Sequence, residues 1–123
     1  MEVKLYHFTS VMHHQIIQNE KKLLPMGDVP ITYVGGFKAL WFTLDPDPNN
    51  QQWGMPHKNA VRYEVSWPLD KTGLAKWTDI AAAFNMDEVW YASLASSGGG
   101  KPEDWYVYVQ AVDIEDCIIR TIV

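Results

Sequence analysis

The chain has 123 residues, 47% hydrophobic and 20% charged, and at roughly 100–200 residues per domain this predicts one domain, residues 1–123, with a core of its own. Ten Lys and Arg against fifteen Asp and Glu leave a net charge of −5, which argues against strong non-specific binding to nucleic acid, although not against a local basic groove or a nucleotide-sized ligand. The one cysteine, Cys117, excludes an internal disulfide and a cysteine-built zinc site.

Val3–Phe8 alternates apolar and polar residues as a strand does, and it runs into Thr9-Ser10, a pair suited to capping a helix. Met12, Ile16, Ile17, Leu23 and Leu24 fall near helical spacing. They predict an amphipathic helix over Val11–Lys22, stopped by Pro25 and followed by a turn at Met26-Gly27-Asp28. Pro30 and Gly35-Gly36 make Val29–Lys38 a loop with at most a short extended piece. Ala39–Leu44 reads as a strand, cut by the Asp45–Asn50 turn (DPDPNN). Ala60–Trp67 is a third strand, with Val61, Tyr63 and Val65 facing one way and Arg62, Glu64 and Ser66 the other.

Gly73–Phe84 predicts a helix with Leu74, Trp77, Ile80, Ala81 and Phe84 on one face. Glu88–Leu94 fits a strand or a short helix, and Ala95–Pro102 (ASSGGGKP) is a flexible loop. Trp105–Val112 and Cys117–Val123 are strands. The order of elements is that of the α+β class rather than a regular βαβ alternation. Met1–Tyr6 lacks a basic and then apolar leader, and no apolar run approaches 18 residues, so a cytoplasmic protein without a membrane partner is expected.

Three places could carry chemistry, each with a plainer structural alternative. His7, at a strand end that runs into a helix, could orient a ligand, or could pack there. Trp41, within Trp41-Phe42-Thr43, could stack on a flat ring, or could be core like most of the 13% aromatic residues. Glu103, between the Gly-rich loop and a strand, could act as a base or stabilise positive charge, or could be a solvated loop acid beside Asp104.

Other residues carry less. His13 and His14 are adjacent on a helix and point about 100° apart, so they cannot share a metal. His57 lies in loop, Asp45 and Asp47 suit a turn better than a cation site, and Cys117 sits in an apolar strand unsuited to a thiolate. No metal is expected. Gly-rich dinucleotide, Walker, nucleophile-elbow and zinc-protease motifs are missing from the sequence. His7-Phe8-Thr9 supplies one H-x-T triplet, but a paired H-x-T phosphoesterase needs a second.

Leu5-Tyr6-His7-Phe8-Thr9-Ser10, followed by a helix with Ile16-Ile17 and an exit at Lys22-Leu23-Leu24-Pro25, resembles the opening of ADP-ribosyltransferase-fold proteins, in particular small toxin-type and phage-encoded members. Leu40-Trp41-Phe42-Thr43 is similar to that superfamily's second strand, with Trp41 where Tyr is usual, and Glu103 is similar in place to its catalytic acid. Lys22 stands where Gly is usual. The resemblance implies two small β-sheets with flanking helices and NAD in the cleft between them.

By the same resemblance, His7 would bond a ribose hydroxyl, the Phe8 backbone would hold the carboxamide, and Trp41 would stack on nicotinamide, with Thr9 and Thr43 completing the cofactor site. Glu103 would bond the nicotinamide-ribose 2′-hydroxyl and favour the positively charged transition state as nicotinamide leaves. Ser96, Ser97, Gly98 and Lys101 would meet the acceptor, a protein or a nucleic acid. The implied activity is mono-ADP-ribosyl transfer from NAD by a protein of phage or mobile-element type. The alternative is a non-catalytic binding module, of anti-defence or inhibitor type, that keeps the fold.

Overall fold

A computed structural model describes residues 2–25, 27–32, 35–47, 60–68, 70–83, 102–115 and 117–121. The alternating opening forms strand β1 (Glu2–Thr9), and the Ser10 hydroxyl accepts the His13 N–H at 3.2 Å to start helix α1 (Val11–Glu20). The helix ends at Lys21, whose φ of 58° is left-handed. It therefore stops before Pro25, because a turn of the backbone, rather than a missing N–H, breaks it.

The expected apolar stripe of α1 is only partly used. Ile17 is buried, while Met12 is 72% exposed and Ile16 40%. Leu23 joins the core from a different element, β2 (Lys22–Leu23). One buried residue, Ile17, anchors this short helix, whose entry is fixed by the cap and whose exit is fixed by β2.

The segment expected to be loop is a hairpin: β3 (Gly27–Thr32) pairs with β4 (Gly35–Thr43). Pro30 pairs with Gly36 and Thr32 with Gly35, with a register irregularity between Pro30 and Thr32. β5 (Val61–Pro68) keeps the predicted alternation, with Val61, Tyr63, Val65 and Trp67 buried.

Gly73, at φ 97°, turns the chain into β6 (Ala75–Lys76), so helix α2 begins only at Trp77 and spans Trp77–Ala83. A 3-10 turn (Pro102–Asp104) leads into β7 (Trp105–Tyr108). The single strand expected over Trp105–Val112 breaks after Tyr108. Val109 is 55% exposed, and β8 (Val112–Asp113) leaves to pair with β2. β9 (Ile118–Thr121) closes the described chain. Glu88–Leu94, most of the Ala95–Pro102 loop, His57 and Phe84 lie outside the described residues.

The fold is α+β. Seven strands form one sheet in the order β6-β7-β4-β1-β5-β9, with β3 also on β4; β2 and β8 make a small second sheet, and every registered ladder among the described residues is antiparallel. Two buried clusters lie on the large sheet. Leu5, Leu40, Phe42, Tyr63, Trp67 and Tyr108 meet Ile17 of α1, while Ala39, Trp105 and Val107 meet Trp77 and Ala81 of α2. β4 and β7 contribute to both clusters because successive side chains alternate faces. Among the described residues no helix is long and apolar enough to cross a membrane.

Candidate functional site

β1 is central in the sheet, but its two edges differ. Toward β5 the ladder is continuous from Glu2–Pro68 to Thr9–Val61. Toward β4 the registered pairing is Tyr6–Thr43. One residue beyond it, a side chain takes over: His7 Nδ1 lies 2.8 Å from the Trp41 carbonyl oxygen. A carbonyl only accepts, so Nδ1 carries the proton and donates it.

Burial, opposed by that bond to Trp41 and aided by the nearby His13, holds the His7 imidazole below its usual range. A neutral ring protonated at Nδ1 presents Nε2 as a lone-pair acceptor. The ring is fixed by edge contact with Phe42 at 6.0 Å and a tilted contact with Tyr63 at 6.5 Å. Tyr63 is fixed in turn from α1, where the His14 imidazole bonds its hydroxyl and the Gln18 amide donates to it at 3.4 Å.

At this seam lies a cavity of about 60 Å³, lined by Tyr6, His7, Phe8, Trp41, Phe42, Thr43 and Trp105. Trp41 is half-buried, 5.2 Å from Trp77 and 6.0 Å from Trp105 between ring centres. It is both part of the α2-side cluster and a cavity wall. The Thr43 hydroxyl oxygen accepts the Asp45 N–H at 3.1 Å, which starts the turn after β4 and leaves the hydroxyl proton for another acceptor.

Two indole rings and a threonine hydroxyl line this cavity, a setting suited to a small flat polar group. The volume is that of a few waters, so only part of a planar ring would enter it.

Of the residues singled out from sequence, His7, Phe8, Trp41 and Thr43 line the cavity. Thr9 is buried opposite Val61, outside the lining. Glu103 is exposed and also outside it. It sits in the 3-10 turn rather than on the strand, so strand alternation does not separate it from Asp104. That turn is tied to the end of β4 by the Leu44 N–H donating to the Asp104 carbonyl at 3.1 Å. Trp105, which follows it, faces the cavity across from Thr43. Ser96, Ser97, Gly98 and Lys101 lie outside the described residues.

Tyr6 and Trp105 are lining residues that the sequence reading did not select; Trp105 shares a face with Trp41, a relation visible only once β4 and β7 are paired. Among the described residues no group of three or more His, Cys, Asp or Glu is placed to hold a metal ion. No protein-family model matches the chain, and no curated protein or solved structure shows significant similarity to it.

Proposed function

We propose that the chain is an NAD-dependent mono-ADP-ribosyltransferase of the small toxin or phage type, acting in the cytoplasm on a macromolecular acceptor, with its ligand held at the β1–β4 seam, which lies within the one large sheet and not, as the resemblance implies, between two small ones. The observation that carries this reading is the pairing of His7 and Trp41. One hydrogen bond, from Nδ1 to the Trp41 carbonyl, leaves Nε2 as an acceptor, and both residues line one cavity, the His7 ring on the Phe42 and Tyr63 side of the sheet and the Trp41 indole on the Trp77 and Trp105 side. His7 would accept a ribose hydroxyl, and Trp41 and Trp105 would flank the nicotinamide.

NAD supplies the glycosidic bond that the reaction breaks. Glu103 would enter from the turn pinned to the end of β4, its carboxylate countering the positive charge that develops on the sugar. Its exposed side chain supports a second reading, a binding module with the same pocket and no turnover.

Nicotinamide release separates the two. The enzyme reading expects release by the wild-type chain, a loss of turnover of about 100-fold or more in Glu103→Gln, and nearly unchanged NAD affinity, the pattern of an interaction made mainly in the transition state. Wild-type rates in Glu103→Gln, or loss confined to Asp104→Asn, would reassign the acid. NAD binding without release under any acceptor would select the module.

A further inference from the structure

On the face of β1 and β5 opposite Tyr63, Lys4, Tyr6 and Phe8 stand in register with Ser66, Glu64 and Arg62. Lys4 and Glu64 make an ion pair at 3.7 Å. Arg62 is held differently. Its Nη1 donates to the Pro46 carbonyl at 2.9 Å, its guanidinium carbon lies 5.2 Å from the centre of the Tyr6 ring, and its Nε is buried without a hydrogen-bond acceptor among the described residues. Neither a carbonyl nor a ring neutralises a charge.

A half-buried guanidinium ordinarily meets a carboxylate or a phosphate, whose paired oxygens match its planar fork. Here the carbonyl and the ring fix the plane of the fork, and among the described residues no carboxylate lies within ion-pair distance of it. Position says what for: Tyr6, under the guanidinium, and Phe8, the cross-strand partner of Arg62, both line the cavity. Arg62 therefore stands beside the ring pocket, displaced toward β5, where a group joined to the ring through a sugar would lie.

We infer that Arg62 is the anion-binding residue of the cleft and takes a phosphate or pyrophosphate group of its ligand. The inference rests on the nucleotide reading above for the ring, but not for the charge. Asp45 and Asp47 flank Pro46, so a free anion should bind less tightly than one delivered on a ring.

Calorimetric titration of the wild-type chain, Arg62→Gln and Arg62→Lys with NAD, nicotinamide riboside and inorganic pyrophosphate tests it. The riboside keeps ring and sugar and lacks phosphate. Arg62→Gln should lose about 10- to 100-fold in NAD affinity with riboside affinity unchanged, and pyrophosphate should compete with NAD on the wild-type chain. Equal NAD affinity in Arg62→Gln and wild type would overturn the inference while leaving the NAD reading intact. Equal losses for NAD and riboside would also overturn it, by showing that Arg62 acts only through the Pro46 carbonyl. Arg62-dependent pyrophosphate binding without any riboside or NAD binding would uphold the anion site and sink the nicotinamide reading. No binding of NAD or pyrophosphate to the folded wild type sinks both. If circular dichroism shows that Arg62→Gln is unfolded, Arg62→Lys decides: a drop confined to the phosphate-bearing ligands upholds the site, and an equal drop or no drop overturns it.

Discussion

Along its β5 edge, β1 makes eight registered pairs; along its β4 edge it makes one, and the His7 side chain then bonds the Trp41 carbonyl where the ladder would continue. The same strand, with the same alternation, is thus built into the sheet on one side and only tacked to it on the other. The β5 edge is lined by residues that fit a pleated, half-buried surface, Leu5 against Val65 and Val3 against Trp67. On the β4 edge the registered pairing is Tyr6 with Thr43. A gap in a ladder exposes backbone groups that need partners. His7 satisfies one of them, so the seam stays open without an orphaned carbonyl at Trp41. A sheet interior becomes a candidate site by this local substitution of a side chain for a backbone donor.

The largest difference should appear in hydrogen exchange. Amides bridging β1 and β5 should exchange only through global opening, whereas those of β1 facing β4 beyond Tyr6 should open locally and exchange about 100-fold faster or more. Equal protection on both edges would mean that the seam is as firm as the ladder.

Trp41→Ala sharpens the contrast from the cavity side. It should reduce NAD affinity by about 1–3 kcal/mol, the usual worth of a stacking face, and shift the urea midpoint less than Trp77→Ala, whose fully buried ring should cost about 3–5 kcal/mol. A Trp41→Ala chain as destabilised as Trp77→Ala, with unchanged affinity per folded molecule, would make Trp41 a core residue and nothing more.

The smallest effect concerns pH. The folded imidazole of His7 titrates below the unfolded value of 6.5, so the unfolded chain binds its proton first as the solution is acidified. His7 therefore costs stability progressively as pH falls below 6.5 toward its folded value, and costs nothing above. Urea unfolding of His7→Phe should be less acid-sensitive than wild type across that window, while NAD affinity of the wild type should fall as Nε2 gains a proton. An identical pH slope in the variant would place the acid sensitivity elsewhere.

The sequence was most legible where one local signal dominated. The Ser10 cap, the burial of every second residue of β5, and the opposite facing of Trp105 and Tyr106 along β7 follow from spacing alone. It was least legible where pairing decides conformation. Gly35, Gly36 and Pro30 look like loop, yet β4 recruits them into a hairpin; Val109 and Val112 look like one strand with Tyr108, yet β2 draws Val112 into another sheet. His7, Trp41 and Thr43 could be selected as chemistry-bearing types at strand ends. That Trp105 lies beside Trp41 and Thr43 depends on the long-range pairing of β4 with β7, which no local pattern encodes.

The position of β1 has a consequence in time as well as in space. It is the first strand among the described residues, yet its neighbours are β4 and β5, and β5 pairs in turn with β9. Its pairs are therefore distant in sequence, Glu2 with Pro68 and Thr9 with Val61, and pairing over such separations is slow because the loop must be closed first. The charges Glu2 and Lys4 along it help there, since alternating ionised side chains discourage pairing with a wrong edge. The topology thus weights the sheet toward long-range pairing around β1, the kind of contact that slows folding.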